Sequence, residues 1–478
     1  MNTMIFKADK EGLENAAKVI KSGETVVFPT ETVYGLGANA LSEQAAEKIF
    51  LAKGRPSDNP LIVHIAEKEQ CKDVAAEIPE KAKILMDKFW PGPLTIIMKK
   101  RPEIPNGVTA GLSTVGVRMP ENKTAREFIK LCGCPIAAPS ANISGKPSPT
   151  DFEDVCRDMQ GRAGGIIEGE PSKVGVESTV IDLTAEPPAV LRPGGITVEQ
   201  LESAIGEVVC SAALKQKQAP KAPGMKYKHY SPKAKVYILK GSNDEKIEFL
   251  NKISVFKRKI AVVCFDEDMA ELKKHFACVS LGSKNNPNQG AARLFKILRA
   301  FDDTDIEEVF APEIPEEGLW LAVKNRLYKA AAENILDAKT AKKVLFVCTG
   351  NTCRSPMAEG IFKAIFKVCY CASAGLCAEK NMPASKNAQI AMKNMKIDIS
   401  AHLSKQLTAE MLKAADKTYV MTKQHLAAIQ GFENVFALGD AAGLGYEVSD
   451  PFGGDENDYT ACGELLKKMI LKAEEKAL

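Results

Sequence analysis

The sequence predicts a three-part α/β protein. Short β-rich runs alternate with helical patterns along most of the chain, an acid-free lysine-rich stretch interrupts them near the middle, and a fresh apolar strand opens the last third. With 478 residues, 45% hydrophobic and 26% charged, the chain is too long for a single core and long enough for about three domains.

In the first part, residues 1–212, the segments 25–28, 61–65, 94–98 and 178–183 read as strands, and 42–53 and 79–89 as helices, which makes a mixed α/β unit. Residues 208–243 then carry eight lysines and no acid. With Pro220, Pro223, Gly224 and Pro232 in it, 213–235 reads as a basic linker. A second unit, 236–335, follows, with strands expected at 235–239 and 260–265 and helices at 289–300 and 322–335. No catalytic motif is recognisable there. The polar, alanine-rich segment 337–343 leads into an apolar strand, 344–347, so a third domain is expected over 342–478.

Composition narrows the functional classes. A net charge of +3 is too small for this length to argue nucleic-acid binding by bulk electrostatics. Thirteen cysteines, odd in number and without a repeating framework, suit reduced thiols in a cytosol better than a disulfide scaffold. Lys7, Asp9 and Lys10 break the N-terminal apolar stretch, so no signal peptide is expected, and no run reaches bilayer length. The expectation is a cytoplasmic protein without a membrane partner. Cys132/Cys134 and Cys369/Cys371 have one-residue gaps and no neighbouring histidine, so they read as buried small hydrophobes, and no side-chain metal site is expected.

The run from Val344 to Glu359 sets Cys348 at the end of a strand, Arg354 six positions on, and a helix after it. Ser355 suits an N-cap and Pro356 the first helical position, so the helix should aim its unpaired N–H groups back at the loop. Those amides, the helix dipole and the guanidinium would hold a phosphoryl dianion and favour a thiolate at Cys348. Displacement at phosphorus leaves a basic group that needs a proton. Asp450, stiffened by Pro451 and followed by Gly453 and Gly454, is the expected donor.

Strand, cysteine, Gly350-Asn351, Cys353-Arg354-Ser355-Pro356 and a distant Asp450-Pro451, in this order, resemble the low-molecular-weight protein tyrosine phosphatase family over about 342–475. The resemblance implies a central parallel sheet, a phosphocysteine on Cys348, Arg354 stabilising the transferring group, and Asp450 as general acid. It places Asn351 and Ser355 in support of the loop and thiolate, with Thr349, Gly350, Thr352 and Cys353 completing the loop and no cofactor. Thr352 stands where tyrosine-specific members generally carry a larger branched aliphatic residue, and Asp450-Pro-Phe-Gly-Gly replaces paired tyrosines. Both features resemble the protein-arginine phosphatase branch, and a hydroxyl suits a polar guanidino leaving group better than an aromatic ring. Phosphoarginine proteins are therefore expected before phosphotyrosine ones. Arsenate reductases share the loop but need a further downstream cysteine pair, and no cysteine lies between Cys377 and Cys462. Cys353 is a candidate disulfide partner that would shield Cys348 from over-oxidation. The competing class is a pseudo-enzyme that only reads phosphoproteins, against which the intact Cys348, Arg354 and Asp450 argue.

At the other end, Gly35-x-Gly37-x-x-Ala40 after a strand superficially suits a dinucleotide fold. The long approach through Pro29 argues against the required tight turn, and Gly145-Lys146 is followed by proline, so no Walker A sequence occurs. Polar residues instead recur at strand ends: Lys53-Gly-Arg55, Arg118, Ser140-Ala-Asn142, Ser178-Thr179 and Arg192. Four cations can meet around phosphates.

With Pro29-Thr-Glu-Thr-Val-Tyr-Gly-Leu36, Lys53-Gly-Arg-Pro56, Pro139-Ser-Ala-Asn142 and Glu177-Ser-Thr-Val180 in order, residues 5–330 resemble the threonylcarbamoyl-AMP synthase family in its long form: a YrdC-type twisted mixed α/β domain followed by a small Rossmann-like one. Pro223 to Pro232 resembles the family's interdomain segment, which folds back over the nucleotide. The resemblance implies condensation of L-threonine, bicarbonate and ATP, with Mg²⁺, on the path to threonylcarbamoyladenosine in tRNA, where the tRNA threonylcarbamoyl transferase complex is the downstream acceptor. It places ATP near Lys53, Arg55, Asn59, Thr114, Ser140, Asn142, Ser148, Arg192 and Tyr230, and threonine near Thr32, His64, Arg118, Ala138 and Ser178. The competing class is an RNA-binding module whose basic cleft holds phosphates without chemistry.

Overall fold

The computed structural model describes residues 2–210, 230–256 and 259–475. Among these, three sheets form in chain order: eleven mixed strands, then five parallel ones, then four parallel ones. The basic linker expected at 213–235 lies outside the described residues as far as 229.

The first sheet brings distant strand ends together. Ile62–His64 lies between Ile136–Ala138 and Thr114–Arg118, while Leu94–Lys99 joins Thr114–Arg118 to Thr179–Asp182. His64, Arg118, Ala138 and Ser178 therefore sit at or beside strand ends of one sheet. Gly35–Asn39 is itself a strand, antiparallel to Val26–Phe28. A Cβ at Gly37 would come within 2.6 Å of the Ile136 side chain and 2.8 Å of the Phe28 ring. Its glycines thus serve close packing in the sheet, and no dinucleotide turn forms. The helix Glu43–Lys53 starts where Ser42 accepts a hydrogen bond from the Ala45 amide and stops at Gly54, left-handed at φ 60°. That stop leaves Lys53 buried on the last turn, beneath the strand ends.

The middle sheet runs Ala277–Ser280, Ile260–Cys264, Glu308–Pro312, Lys235–Lys240, Ile335–Asp337, a doubly wound order with helices between. The helix expected over 322–335 is Trp320–Ala330. Ala332 and Glu333 take positive φ and turn the chain into the edge strand Ile335–Asp337. The apolar pattern continued past the helix because this strand buries its middle residue, Leu336.

The units share buried faces. Arg299 of the middle unit donates to Pro147 O at 2.6 Å and pairs with Asp158 at 2.7 Å, all inside the contact with the first unit. On its other side, Tyr237, Phe249, Phe256 and Phe310 form one apolar cluster with Leu345, Val347, Tyr370 and Ala372 of the last unit. Ring centroids of Phe249 and Tyr370 lie 6.2 Å apart, edge to face. The last unit therefore docks on the middle one through a packed core. No helix among the described residues is long and apolar enough to cross a membrane.

Candidate active sites

All the residues expected at the nucleotide and threonine except Thr32, Asn59 and Thr114 line one cavity of the first unit, about 710 Å³ including space open to solvent. Thr32 is buried just behind the wall, its hydroxyl 2.9 Å from that of Thr30, which does line it. Asn59 is fully buried and its backbone carbonyl accepts from Arg55 at 3.2 Å, so it meets the cavity through Arg55. Thr114 faces a separate small pocket with Pro60 and Thr109, because it sits at the far end of the strand whose other end carries Arg118.

The cavity wall is organised by buried charge. Arg118 pairs with Glu31 at 2.7 Å, both almost without solvent contact. His64 lies beside it, its Nδ1 3.1 Å from Ile62 O, and burial together with the Arg118 charge pushes its pKa down to about 3, so the imidazole is neutral. Lys53 Nζ donates to the carbonyls of Ser140 and Asn142. Burial and the neighbouring Arg55 lower its pKa, so the site is poised to gain from a polyanion. Arg192 donates twice to Ser178 O, at 3.1 and 2.9 Å, and burial brings its pKa down to about 10.

Two further residues organise the wall. Glu177 accepts from Ser148 Oγ at 2.7 Å and from Arg326 Nε at 2.9 Å. Burial alone would raise its pKa, but Arg326 and Arg192 hold it down to about 2, so it is a carboxylate. Arg326 has no exposed surface and reaches in from the middle unit's helix Trp320–Ala330. Glu177 stood inside the quoted Glu-Ser-Thr-Val motif, where a carboxylate beside strand-end polar groups was a signal. Arg326 had none, as a lone arginine in a helical pattern reads as exposed. Tyr230 closes the cavity from the same side, stacked on Phe295 with centroids 5.1 Å apart.

Glu177 is the one carboxylate on the described cavity wall, and it is committed to Arg326 and Ser148. No cluster of three or more His, Cys, Asp or Glu that could hold a metal occurs among the described residues. The described donor set makes no all-protein Mg²⁺ cage.

In the last unit, the strand Lys343–Cys348 ends at the nucleophile candidate, and the loop turns through Asn351, left-handed at φ 57°. That turn aims the Asn351 amide at Cys348 Sγ, 3.3 Å away. The helix starts at Arg354, with Cys353 as N-cap and no side-chain cap. The expected cap at Ser355 is therefore corrected: Ser355 lies in the first turn, its hydroxyl 3.1 Å from Cys348 Sγ and accepting from Asn351 Nδ2 at 2.8 Å. From that position its hydroxyl meets the sulfur and, at 3.3 Å, Ala374 O. Pro356 fits the first turn because its missing N–H has no intrahelical partner there.

Arg354 is buried and forks between Val448 O, at 3.2 Å, and the Asp450 carboxylate, which is nearly half exposed. Cys348 and the Arg354 guanidinium thus belong to one strand–loop–helix, with the Asp450 carboxylate held against it. Thr349 Oγ1 lies 2.9 Å from His425 Nε2, and burial and Arg354 lower the His425 pKa. Thr352 is half-buried in the loop, its Oγ1 3.7 Å from Cys353 Sγ. Cys353 turns inward to the Tyr459 hydroxyl at 3.3 Å. His425, Ser373 and Lys405, which hold the loop from behind, escaped sequence reasoning because they arrive from three remote segments.

A buried cavity lined by four cations, with a separate cysteine–arginine loop, defines a two-site protein of the nucleotide- and phosphate-handling kind, and comparison with known proteins agrees. Residues 18–194 match the family model described as telomere recombination, 196–332 the threonylcarbamoyl-AMP synthase C-terminal domain, and 343–476 the low molecular weight phosphotyrosine protein phosphatase. The threonylcarbamoyl-AMP synthase of Pyrococcus abyssi is 48% identical over 332 residues, 67% of this chain and 94% of that one. The synthase of Bacillus subtilis is 45% identical over 326 residues, covering 68% of this chain and 94% of that one. The crystal structure of P. abyssi Sua5 complexed with L-threonine is 44% identical, covers 70% of this chain and 99% of that one, and superposes with a TM-score of 0.66. This chain belongs to the threonylcarbamoyl-AMP synthase family and carries a low-molecular-weight phosphatase domain as its last third.

Proposed function

We propose that the chain is a bifunctional enzyme. Its cavity forms threonylcarbamoyl-AMP and pyrophosphate from L-threonine, bicarbonate and ATP, and its C-terminal loop dephosphorylates proteins, phosphoarginine before phosphotyrosine. One observation carries the first half: Lys53, Arg55, Arg118 and Arg192 converge on a single buried cavity that holds one committed carboxylate.

Arg118 anchors the threonine carboxylate, and neutral His64 beside it adds no charge that would compete. The threonine amine adds to bicarbonate with loss of water, and a carbamate oxygen attacks the α-phosphorus. Pyrophosphate leaves as the oxygen–phosphorus bond forms, with Lys53, Arg55 and Arg192 neutralising the phosphate oxygens. Tyr230 covers the nucleotide side. The L-threonine bound to the P. abyssi relative supports this amino acid as substrate. The product is handed to the tRNA threonylcarbamoyl transferase complex. Pyrophosphate release that needs both threonine and bicarbonate supports the synthase; tight RNA binding without turnover supports an RNA-binding module instead.

In the last domain, Cys348 Sγ attacks phosphorus while Asp450 gives its proton to the departing nitrogen or oxygen. Water then cleaves the phosphocysteine as the Asp450 carboxylate takes a proton, releasing phosphate. Because Arg354 already holds Asp450, clamping the phosphoryl group requires that arm of the guanidinium to swing from carboxylate to phosphate. The Thr352 hydroxyl in the loop supports the guanidino substrate.

A further inference from the structure

The middle unit has no catalytic motif, yet two consecutive residues at the start of its strand Glu308–Pro312 lead to the phosphatase loop by separate polar routes. The first route starts at Glu308, almost wholly buried. Its carboxylate accepts from Tyr370 OH at 2.8 Å and faces Lys363 Nζ at 3.8 Å. Lys363 also donates to Glu359 at 2.6 Å, from one turn along the same helix that begins with Arg354. The other oxygen of Glu359 accepts from Ser373 Oγ at 2.6 Å, and Ser373 Oγ accepts from Asn351 Nδ2 at 2.9 Å.

The second route starts at Glu307, whose carboxylate lies 3.7 Å from Lys405 Nζ. The backbone amide of Lys405 donates to Asn351 Oδ1 at 2.9 Å. The two routes thus reach opposite ends of one side-chain amide. Asn351 is the residue whose left-handed backbone turns its N–H onto Cys348 Sγ, and its Nδ2 also fixes Ser355 Oγ against the same sulfur.

Most of these groups are buried, where hydrogen-bond chains polarise one another and an unmatched charge is costly. Along the first route carboxylate, ammonium and carboxylate alternate, with Lys363 hydrogen-bonded to Glu359 and facing Glu308 as a charge across 3.8 Å. Take away the Glu308 charge and Lys363 turns wholly to Glu359, weakening the hold of Glu359 on Ser373. Take away the Glu307 charge and the segment that presents the Lys405 amide loses its tie to the middle unit.

We propose that Glu307 and Glu308 of the middle unit are positioning residues of the phosphatase loop, acting on Cys348 through the two ends of the Asn351 side chain. The inference rests on the phosphatase reading of Cys348. The middle unit is then the outer support of that loop as well as the donor of Arg326 to the synthase cavity, and the phosphatase domain is completed by the chain to which it is fused.

The test uses the full chain and a phosphorylated protein substrate. Parent chain that shows no turnover dependent on Cys348 overturns the phosphatase reading itself. With parent turnover established, Glu308→Gln and Glu307→Gln are each expected to lower kcat about three- to ten-fold with KM changed less than two-fold, the double variant to lose more, and pyrophosphate release by the synthase site to persist. Glu308→Asp, which keeps the charge, is expected to recover part of the loss. Glu307 is partly exposed, so its variant tests the second route without disturbing the packed core. Unchanged kcat in Glu307→Gln and in the double variant overturns the proposal. So does a loss in Glu308→Gln that Glu308→Asp fails to relieve and that falls equally on the synthase reaction.

Discussion

The two sites are built in opposite ways. The phosphate loop is nearly contiguous: Cys348, Asn351, Arg354 and Ser355 meet within one strand–turn–helix, and Asp450 is the main residue brought from afar. The synthase cavity is dispersed, with walls running from Thr30 to Tyr230 and an outer brace, Arg326, that belongs to another folding unit. A contiguous site depends on local backbone geometry. A dispersed one depends on the register of a whole sheet and on the docking of a neighbour.

The largest effect should fall on the compact site. Asp450→Asn removes the proposed proton donor but keeps the shape, and the rate on a poor leaving group should fall about 10²–10⁴-fold, with pyrophosphate release untouched. Steady-state assays of both reactions on one preparation check this, and an equal loss in both would erase the contrast between the sites.

Next comes the dispersed site's brace. Arg326→Ala takes the ion-pair partner from the buried Glu177 carboxylate and leaves it Ser148 and the charge of Arg192, which should cost about 3 kcal/mol in denaturant unfolding of the first two units and most of the synthase turnover. Pairing it with Glu177→Gln should return part of the stability without restoring the reaction. If Arg326→Ala is neutral in unfolding, the cavity does not depend on its neighbour.

A smaller effect is expected at Thr352. Thr352→Ile trades a hydroxyl for branched carbon and should shift the phosphoarginine-to-phosphotyrosine ratio of kcat/KM downward by about ten-fold or more. Competition assays on matched peptides read it, and an unmoved ratio removes the arginine preference.

The smallest concerns pH. His64 titrates near 3 in the fold, lowered by burial and Arg118, and near 6.5 unfolded. The unfolded chain binds the extra proton between those values, so His64 contributes stability that is present above about pH 6.5 and is lost as pH falls toward 3, with a slope of at most about 1.4 kcal/mol per pH unit. His64→Gln should flatten that acid limb in unfolding experiments at stepped pH. An unchanged slope would mean the imidazole is solvated.

The same contrast explains what the sequence disclosed. The order strand, cysteine, arginine, helix was legible because every step is local, and only the helix start was misplaced, since Ser355 answers to the sulfur instead of the helix end. Cations at strand ends announced the cavity, and the roles proposed for them come from resemblance. Thr114 lies outside the cavity lining, at the other end of the strand that carries Arg118, and such a placement is set by sheet register. Arg326, Lys405 and Glu308 were invisible, because their meaning comes from which unit packs against which.

Two separate chemistries on one chain are distinguished by pyrophosphate release from ATP by the full chain, with threonine and bicarbonate omitted in turn, run beside Cys348→Ser and Arg192→Ala. Release should need both co-substrates, persist in Cys348→Ser and collapse in Arg192→Ala, while phosphatase turnover shows the reverse pattern. Release without threonine, or release that disappears with Cys348, would contradict two separate chemistries on one chain.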